Sequence, residues 1–276
     1  MSCFRCAHFD YSEGERREPC ITPAVLPGPV LSANEGARLT TERNDMSEAM
    51  GLSGASEAGA VWPLDRALAA VAVARIVPVV SLASVEQAEP LADALIAGGI
   101  TAVEITLRTP SGVGAIARLA DYSALLTVGA GTVVSVAQVD EVIDAGARFV
   151  ISPGIDEAVV TRCLARGVLP VPGIGTASEV QLADRLGLSA VKVFPAAELG
   201  GAGFVRAMRG PFPHMRFLPS GGVTADNVAA YLATPGVFAV SGSWTAPDAA
   251  IAAGDWERVA QLAAAATAAI AAPPGK

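Results

Sequence analysis

Lysine is nearly absent from this chain: of nineteen basic residues only Lys192 and Lys276 are lysines, and every other one is arginine. Histidine is as scarce, with only His8 and His214, so relays built on a serine or cysteine beside a histidine have almost no candidates. No run or stripe of basic residues occurs. With a formal net charge of −8 and a pI near 4.8, this argues against a nucleic-acid surface and leaves small molecules or other subunits as expected partners. Long apolar runs are missing as well. Mean hydropathy is +0.46, yet the longest run, Ala67 to Ala83, is broken by Arg75 and Pro78, so no membrane span is expected. No secretory signal opens the sequence, and the expected location is cytoplasmic.

Cysteine is concentrated rather than spread. Three of the four, Cys3, Cys6 and Cys20, fall in the first twenty residues, and with His8 they spell a C-x-x-C-x-H…C pattern that can be read as a zinc site. Their surroundings lack the apolar periodicity of a small folded module, so no metal is expected. Residues 1–60 hold four prolines and clustered charges such as Glu13, Glu15, Arg16, Arg17 and Glu18, with no sustained helix or strand period. They read as a disordered N-terminal extension, and Met46 and Met50 are alternative starts just upstream of the patterned region. The remaining cysteine, Cys163, sits in a helical pattern as a small buried residue.

Residues 61–276 have a different texture. Eight short apolar runs read as strands: Ile76–Leu82, Ala102–Leu107, Leu126–Thr132, Phe149–Pro153, Val168–Ile174, Ala190–Pro195, Arg216–Ser220 and Val237–Ser243. Each is followed by a helical pattern, as in Asp156–Arg166, Ala177–Leu186, Ala225–Leu232 and Asp255–Ala271. Capping boxes mark helix starts at Ser84 with Gln87, Ser135 with Gln138 and Thr176 with Glu179. Pro90 implies a late start or a kink in the helix that follows the first strand. Eight βα units in about 200 residues predict an α/β fold of the (β/α)8 TIM-barrel type, with the Leu64–Ala74 helix closing its N-terminal end. An open doubly wound sheet is the competitor, but no glycine-rich turn follows the first strand.

Strand periodicity then assigns faces, because residues two apart share one. Ala102, Glu104, Thr106 and Arg108 lie on one side of the second strand, and Val103, Ile105 and Leu107 on the other. The outer face of a barrel packs against helices and is apolar, so Glu104 and Arg108 are expected to point inward, with Arg108 near the C-terminal rim where barrel active sites lie. The same count turns Lys192 and Phe194 inward. A lysine here, in a chain that otherwise uses arginine, points to the one thing a guanidinium cannot do, which is to lose a proton and attack a carbonyl. The bland alternative is a buried Glu104–Arg108 pair used as filler, a costly way to occupy an interior. Ser220, Gly221 and Gly222 end the seventh predicted strand and Ser241 to Trp244 the eighth. Small residues there let backbone N–H groups approach an anion, in the place where this fold binds phosphate.

"VPVVSL", "AVEITLRTP", "VGAGTV", "ISPGI", "VPGIGTASE", "VKVFPA", "FLPSGGV" and "VSGSW", in this order and spacing, resemble the 2-keto-3-deoxy-6-phosphogluconate/4-hydroxy-2-oxoglutarate aldolase family from about Arg75 to the C-terminal helix. The resemblance implies a class I aldolase of the Entner–Doudoroff pathway, without cofactor or metal, acting on a keto-acid phosphate and assembled as a homotrimer. It implies Lys192 as the Schiff-base residue and Glu104 as the general acid/base. Arg108 and Thr132 would contact the pyruvoyl carboxylate, Pro153 and Phe194 would line the pocket, and Gly221, Gly222 and Ser243 would hold the phosphate. Ser220 stands where some members have threonine, and Gly242 offers a further backbone donor beside Ser243.

Two rivals stay open on the sequence: an aldolase for the galactonate epimer, and a catalytically silent phosphate-binding barrel, which would not need all of Glu104, Arg108 and Lys192. The composition of the N-terminal extension cannot repay ordering entropy by burial, so removing residues 1–45 should leave aldol cleavage within about twofold of the full chain. Steady-state assay of the two forms checks this, and loss of folding on removal would show that the segment is structural.

Overall fold

The structure, a computed structural model, describes residues 62–122 and 124–271. The Cys3, Cys6, His8 and Cys20 pattern and the predicted extension lie outside the described residues. The strands are β1 (Ile76–Val80), β2 (Ala102–Thr106), β3 (Thr127–Gly131), β4 (Phe149–Ile151), β5 (Leu169–Val171), β6 (Gly173–Ile174), β7 (Ala190–Val193), β8 (Arg216–Pro219) and β9 (Val240–Gly242). All pair in parallel and form a curled sheet in two sections: six strands in the order β5-β4-β3-β2-β1-β9, and three in the order β6-β7-β8. Parallel bridges from Phe217 to Val237 and from Ser220 to Ser241 run from β8 to the segment of β9. This is the parallel α/β architecture expected from the alternating pattern.

The fifth predicted strand appears as two short ones, and proline explains the break. The Lys192 N–H donates to the Pro172 carbonyl at 2.8 Å, whereas the Gly173 N–H donates the other way, to Ser152 O at 3.0 Å. Alternation therefore turns residues 170 and 172 toward β7, and both are prolines without an N–H to give. The hydrogen-bonded sheet is interrupted where those donors are missing.

Two apolar layers follow from the period of two. Val103, Ile105, Val128, Ala130, Val191, Val193, Phe217 and Val240 pack outward against the surrounding helices. The alternate residues Val77, Ala102, Phe149, Ile151, Leu169, Val171, Ala190, Leu218 and Ala239 turn inward and cluster with Trp62, Ala67, Leu68, Val71 and Ala74. The Leu64–Ala74 helix thus seals the N-terminal end of the curled sheet with its apolar stripe.

Helix starts match the predicted caps. Gln87 Oε1 accepts from the N–H groups of Ala83 and Ser84, and Ser135 and Thr176 accept from the N–H groups of Gln138 and Glu179. The helix after β1 starts late, at Ala88, behind a 3-10 turn at Val85–Gln87. Pro90 therefore falls in the first turn, where no intrahelical acceptor is lost. Among the described residues no helix is long and apolar enough to cross a membrane.

Candidate active site

Above the apolar layer the interior becomes polar at three strands. Glu104 of β2, Lys192 of β7 and Ser241 of β9 are all buried, with relative exposures of 0%, 4% and 0%. Lys192 Nζ lies 3.4 Å from Glu104 Oε1, and the Ser241 hydroxyl donates to Glu104 Oε2 at 3.1 Å. Taking a carboxylate and an ammonium out of water is unfavourable for each, and their attraction offsets it only in good geometry. The pair is therefore a poor device for stability and a good one for bringing a base to an amine.

Glycines on the neighbouring strand make the arrangement possible. Gly129 and Gly131 of β3 occupy inward positions, paired in register with Glu104 and Thr106. A Cβ on Gly131 would stand 2.2 Å from Glu104 Oε1, and one on Gly129 would stand 2.2 Å from the Phe149 ring. The glycines of "GAGT" therefore supply room for the side chains of β2 and β4. Immediately beyond, Thr132 has a positive φ of 60°, unusual for a β-branched residue, and its Oγ1 accepts from Arg108 Nε at 3.3 Å. Arg108 is exposed at the rim, and the buried Glu104 pairs with Lys192 instead, so the filler pair of Glu104 with Arg108 is not what the structure holds.

Phe194 is half-buried, with its ring centroid 5.3 Å from Lys192 Nζ. Pro153 is exposed just past β4, and its carbonyl occupies the space that a Cβ of Gly173 would need. The ends of β8 and β9 lie side by side through the Ser220–Ser241 bridge, which brings the Gly221–Gly222 turn next to Gly242 and Ser243. Gly221 and Gly222 have φ of 87° and 78°, the left-handed region open to glycine. Gly222 is also pressed against Ala197, whose Cβ would stand 2.3 Å from an added one. Ser220 is buried and Ser243 exposed at the mouth. The structure thus gathers Lys192 with Glu104 and Phe194, Arg108 with Thr132, and the two small-residue turns with each other.

Ser241 and the clearance role of Gly131 escaped the reading of the sequence. Alternation places Ser241 on the same face as Ser243, but its meeting with Glu104 and the place of Gly131 beside that carboxylate come from how the strands pair. Elsewhere the chemistry is quiet. Burial pushes the Cys163 thiol up to about 12, which keeps it a protonated packing residue near neutral pH. Among the described residues no three histidine, cysteine or acidic side chains gather as metal ligands.

The profile of the KDPG and KHG aldolase family matches residues 68–262. A 2-dehydro-3-deoxy-phosphogluconate aldolase from Treponema pallidum is 46% identical over 188 residues, covering 68% of this chain and 90% of the relative. A KHG/KDPG aldolase from Escherichia coli K12 is 43% identical over 189 residues, 68% and 88% of the two chains. The fold matches, with a TM-score of 0.70 and 36% identity, the crystal structure of a KDPG aldolase from Legionella pneumophila with pyruvate captured as a covalent carbinolamine. That match covers 74% of this chain and 98% of the other.

The clearance over Gly131 is directly testable. Gly131→Ala should cost about 1–3 kcal/mol of stability as the Cβ drives the Glu104 carboxylate off Lys192. Its catalytic loss should greatly exceed that of the outward-facing Ala130→Gly. Denaturant unfolding and steady-state assay of both variants check this, and equal activity losses would mean that the glycine does not serve Glu104.

Proposed function

Since the chain belongs to the KDPG and KHG aldolase family, we propose that Lys192 forms its Schiff base with substrate and that Glu104 moves the protons. The single observation that carries this reading is the buried contact of Lys192 Nζ with Glu104 Oε1 at 3.4 Å. The enzyme is a class I aldolase that cleaves 2-keto-3-deoxy-6-phosphogluconate to pyruvate and glyceraldehyde 3-phosphate, and 4-hydroxy-2-oxoglutarate to pyruvate and glyoxylate. The carbinolamine captured in the Legionella enzyme supports the covalent route.

In this scheme the neutral amine of Lys192 attacks C2 of the substrate, and loss of water gives an iminium that draws electrons from the C3–C4 bond. Glu104 takes the C4 hydroxyl proton as that bond breaks, the aldehyde leaves, and the enamine carbon C3 is protonated by the same carboxyl. Water then hydrolyses the iminium, which frees pyruvate and the amine. Arg108, bonded to Thr132 at the rim, is assigned to the keto-acid carboxylate, for which a guanidinium fork is suited. Pro153 and Phe194 wall the keto-acid end. Ser220, Gly221, Gly222, Gly242 and Ser243 are assigned to the phosphate, supported by their adjacency across the ends of β8 and β9.

The finer reading of the fold is a closed (β/α)8 barrel in which β5 and β6 act as one interrupted strand. The bridges between β8 and the segment of β9, and the bond from Lys192 N–H to Pro172 O, support closure on the two sides of the three-stranded section. Family resemblance extends the proposal to a homotrimer in the cytoplasm.

Borohydride reduction in the presence of pyruvate should add one reduced pyruvate to the peptide containing Lys192, read by mass spectrometry, and Lys192→Arg should be inactive although its charge is kept. An adduct confined to Lys276 would overturn the assignment. Ser243→Ala should weaken use of the phosphorylated substrate by about 1.5–3 kcal/mol, the worth of a hydrogen bond to a charged group, and leave cleavage of 4-hydroxy-2-oxoglutarate nearly intact. Arg108→Ala should damage both, because both substrates present the same keto-acid end. Equal losses on the two substrates for Ser243→Ala would remove the phosphate from those turns.

A further inference from the structure

We propose that Ser241 is a positioning residue for Glu104, fixing which carboxyl oxygen carries the migrating proton. The inference rests on the assignment of Glu104 as acid and base. The two oxygens of that carboxylate have different partners: Oε1 faces Lys192 Nζ at 3.4 Å, and Oε2 accepts from the Ser241 hydroxyl at 3.1 Å. The carboxylic acid form has one carbonyl oxygen and one hydroxyl oxygen, and the carbonyl is the better acceptor. A proton on Oε2 therefore weakens the Ser241 bond, whereas a proton on Oε1 leaves it intact. Ser241 directs the proton to the oxygen beside Lys192, where the substrate carbons are bound.

The proposed reaction uses that proton twice, once leaving the C4 hydroxyl and once arriving at C3. The terminal torsion of a glutamate side chain is broad, so an unheld carboxyl can turn its loaded oxygen away between the two transfers. Gly131 clears the space on the Oε1 side, and Ser241 supplies the grip on the other. Ser241 is itself well anchored. It is fully buried, its backbone is paired with Val77 of β1, and it is bridged to Ser220 on its other flank. Main-chain pairing on both flanks fixes the Cα of Ser241 and full burial leaves its hydroxyl little room to follow a rotating carboxyl, so the carboxyl follows the hydroxyl.

Exchange of the pyruvate methyl protons with solvent deuterium, followed by NMR, reports enamine protonation without any aldehyde chemistry. In Ser241→Ala both this exchange and kcat for cleavage should fall together by roughly 10- to 150-fold, the loss of one hydrogen bond to a charged group, while KM stays within about twofold. The melting temperature should stay close to that of the parent, and the borohydride adduct at Lys192 should still form. Glu104→Gln, measured alongside, should abolish exchange. If Glu104→Gln exchanges at the parental rate, the underlying assignment of Glu104 falls. If Glu104→Gln is dead while Ser241→Ala keeps the parental exchange rate, that assignment stands and the role of Ser241 falls. A rise in KM with kcat unchanged also overturns the proposal, because it makes Ser241 a substrate contact.

Discussion

A lysine amine held against a carboxylate inside an apolar shell is the constraint around which the rest of this protein is arranged. Neither group is well solvated where it sits, and each is tolerable there because of the other. The contact draws on three strands that are distant in sequence, since β2, β7 and β9 contribute Glu104, Lys192 and Ser241. Holding such a contact requires a scaffold whose strands are fixed in height relative to one another. A parallel sheet wrapped by helices on its outer face does this, because the outward residues lock each strand against its covering helices.

The interior is divided by depth. Its lower part is apolar and closed by the Leu64–Ala74 helix, with the Phe149 ring lying over Gly129. Its upper part opens toward Arg108, Thr132 and the small-residue turns. The polar pair stands at the boundary, close enough to the mouth for a substrate and deep enough to exclude bulk water, which strengthens each electrostatic contact made there. β3 gives up side-chain volume at two inward positions, and the neighbouring strands β2 and β4 take it up. Local packing and placement of the carboxylate are thus set by the same two glycines.

Much of this was legible in the sequence because strands with one uniformly apolar face leave little doubt about which side of Glu104 or Lys192 points inward. The helix starts at Ser84, Ser135 and Thr176 were legible too, since capping depends on neighbours three residues apart. What was not legible involves relations between strands. That Gly131 makes room for Glu104 depends on the register of β2 against β3, and that Ser241 reaches Oε2 depends on side chains meeting across the interior. The break between β5 and β6 was a local signal passed over: two prolines two residues apart in one predicted strand already remove its donors on one edge.

Those two prolines also act on the depth of the lysine. In the observed alignment Lys192 lies opposite Gly173, its N–H reaches Pro172 O, and the next residue able to donate back toward β7 is Ile174. A slip of β7 by two residues toward the start of β5 would keep every side chain on its proper face, so burial alone would not forbid it. The observed alignment already sets the Ala190 carbonyl against the nitrogen of Pro172, and that slip would shift it to Pro170 while setting the Lys192 carbonyl against Pro172, so that one more buried carbonyl of the strand would face a nitrogen with no hydrogen to offer. Pro170 and Pro172 thereby act as a ratchet stop, discouraging an otherwise silent misalignment that would carry the amine about two residue rises, near 6–7 Å, away from its carboxylate.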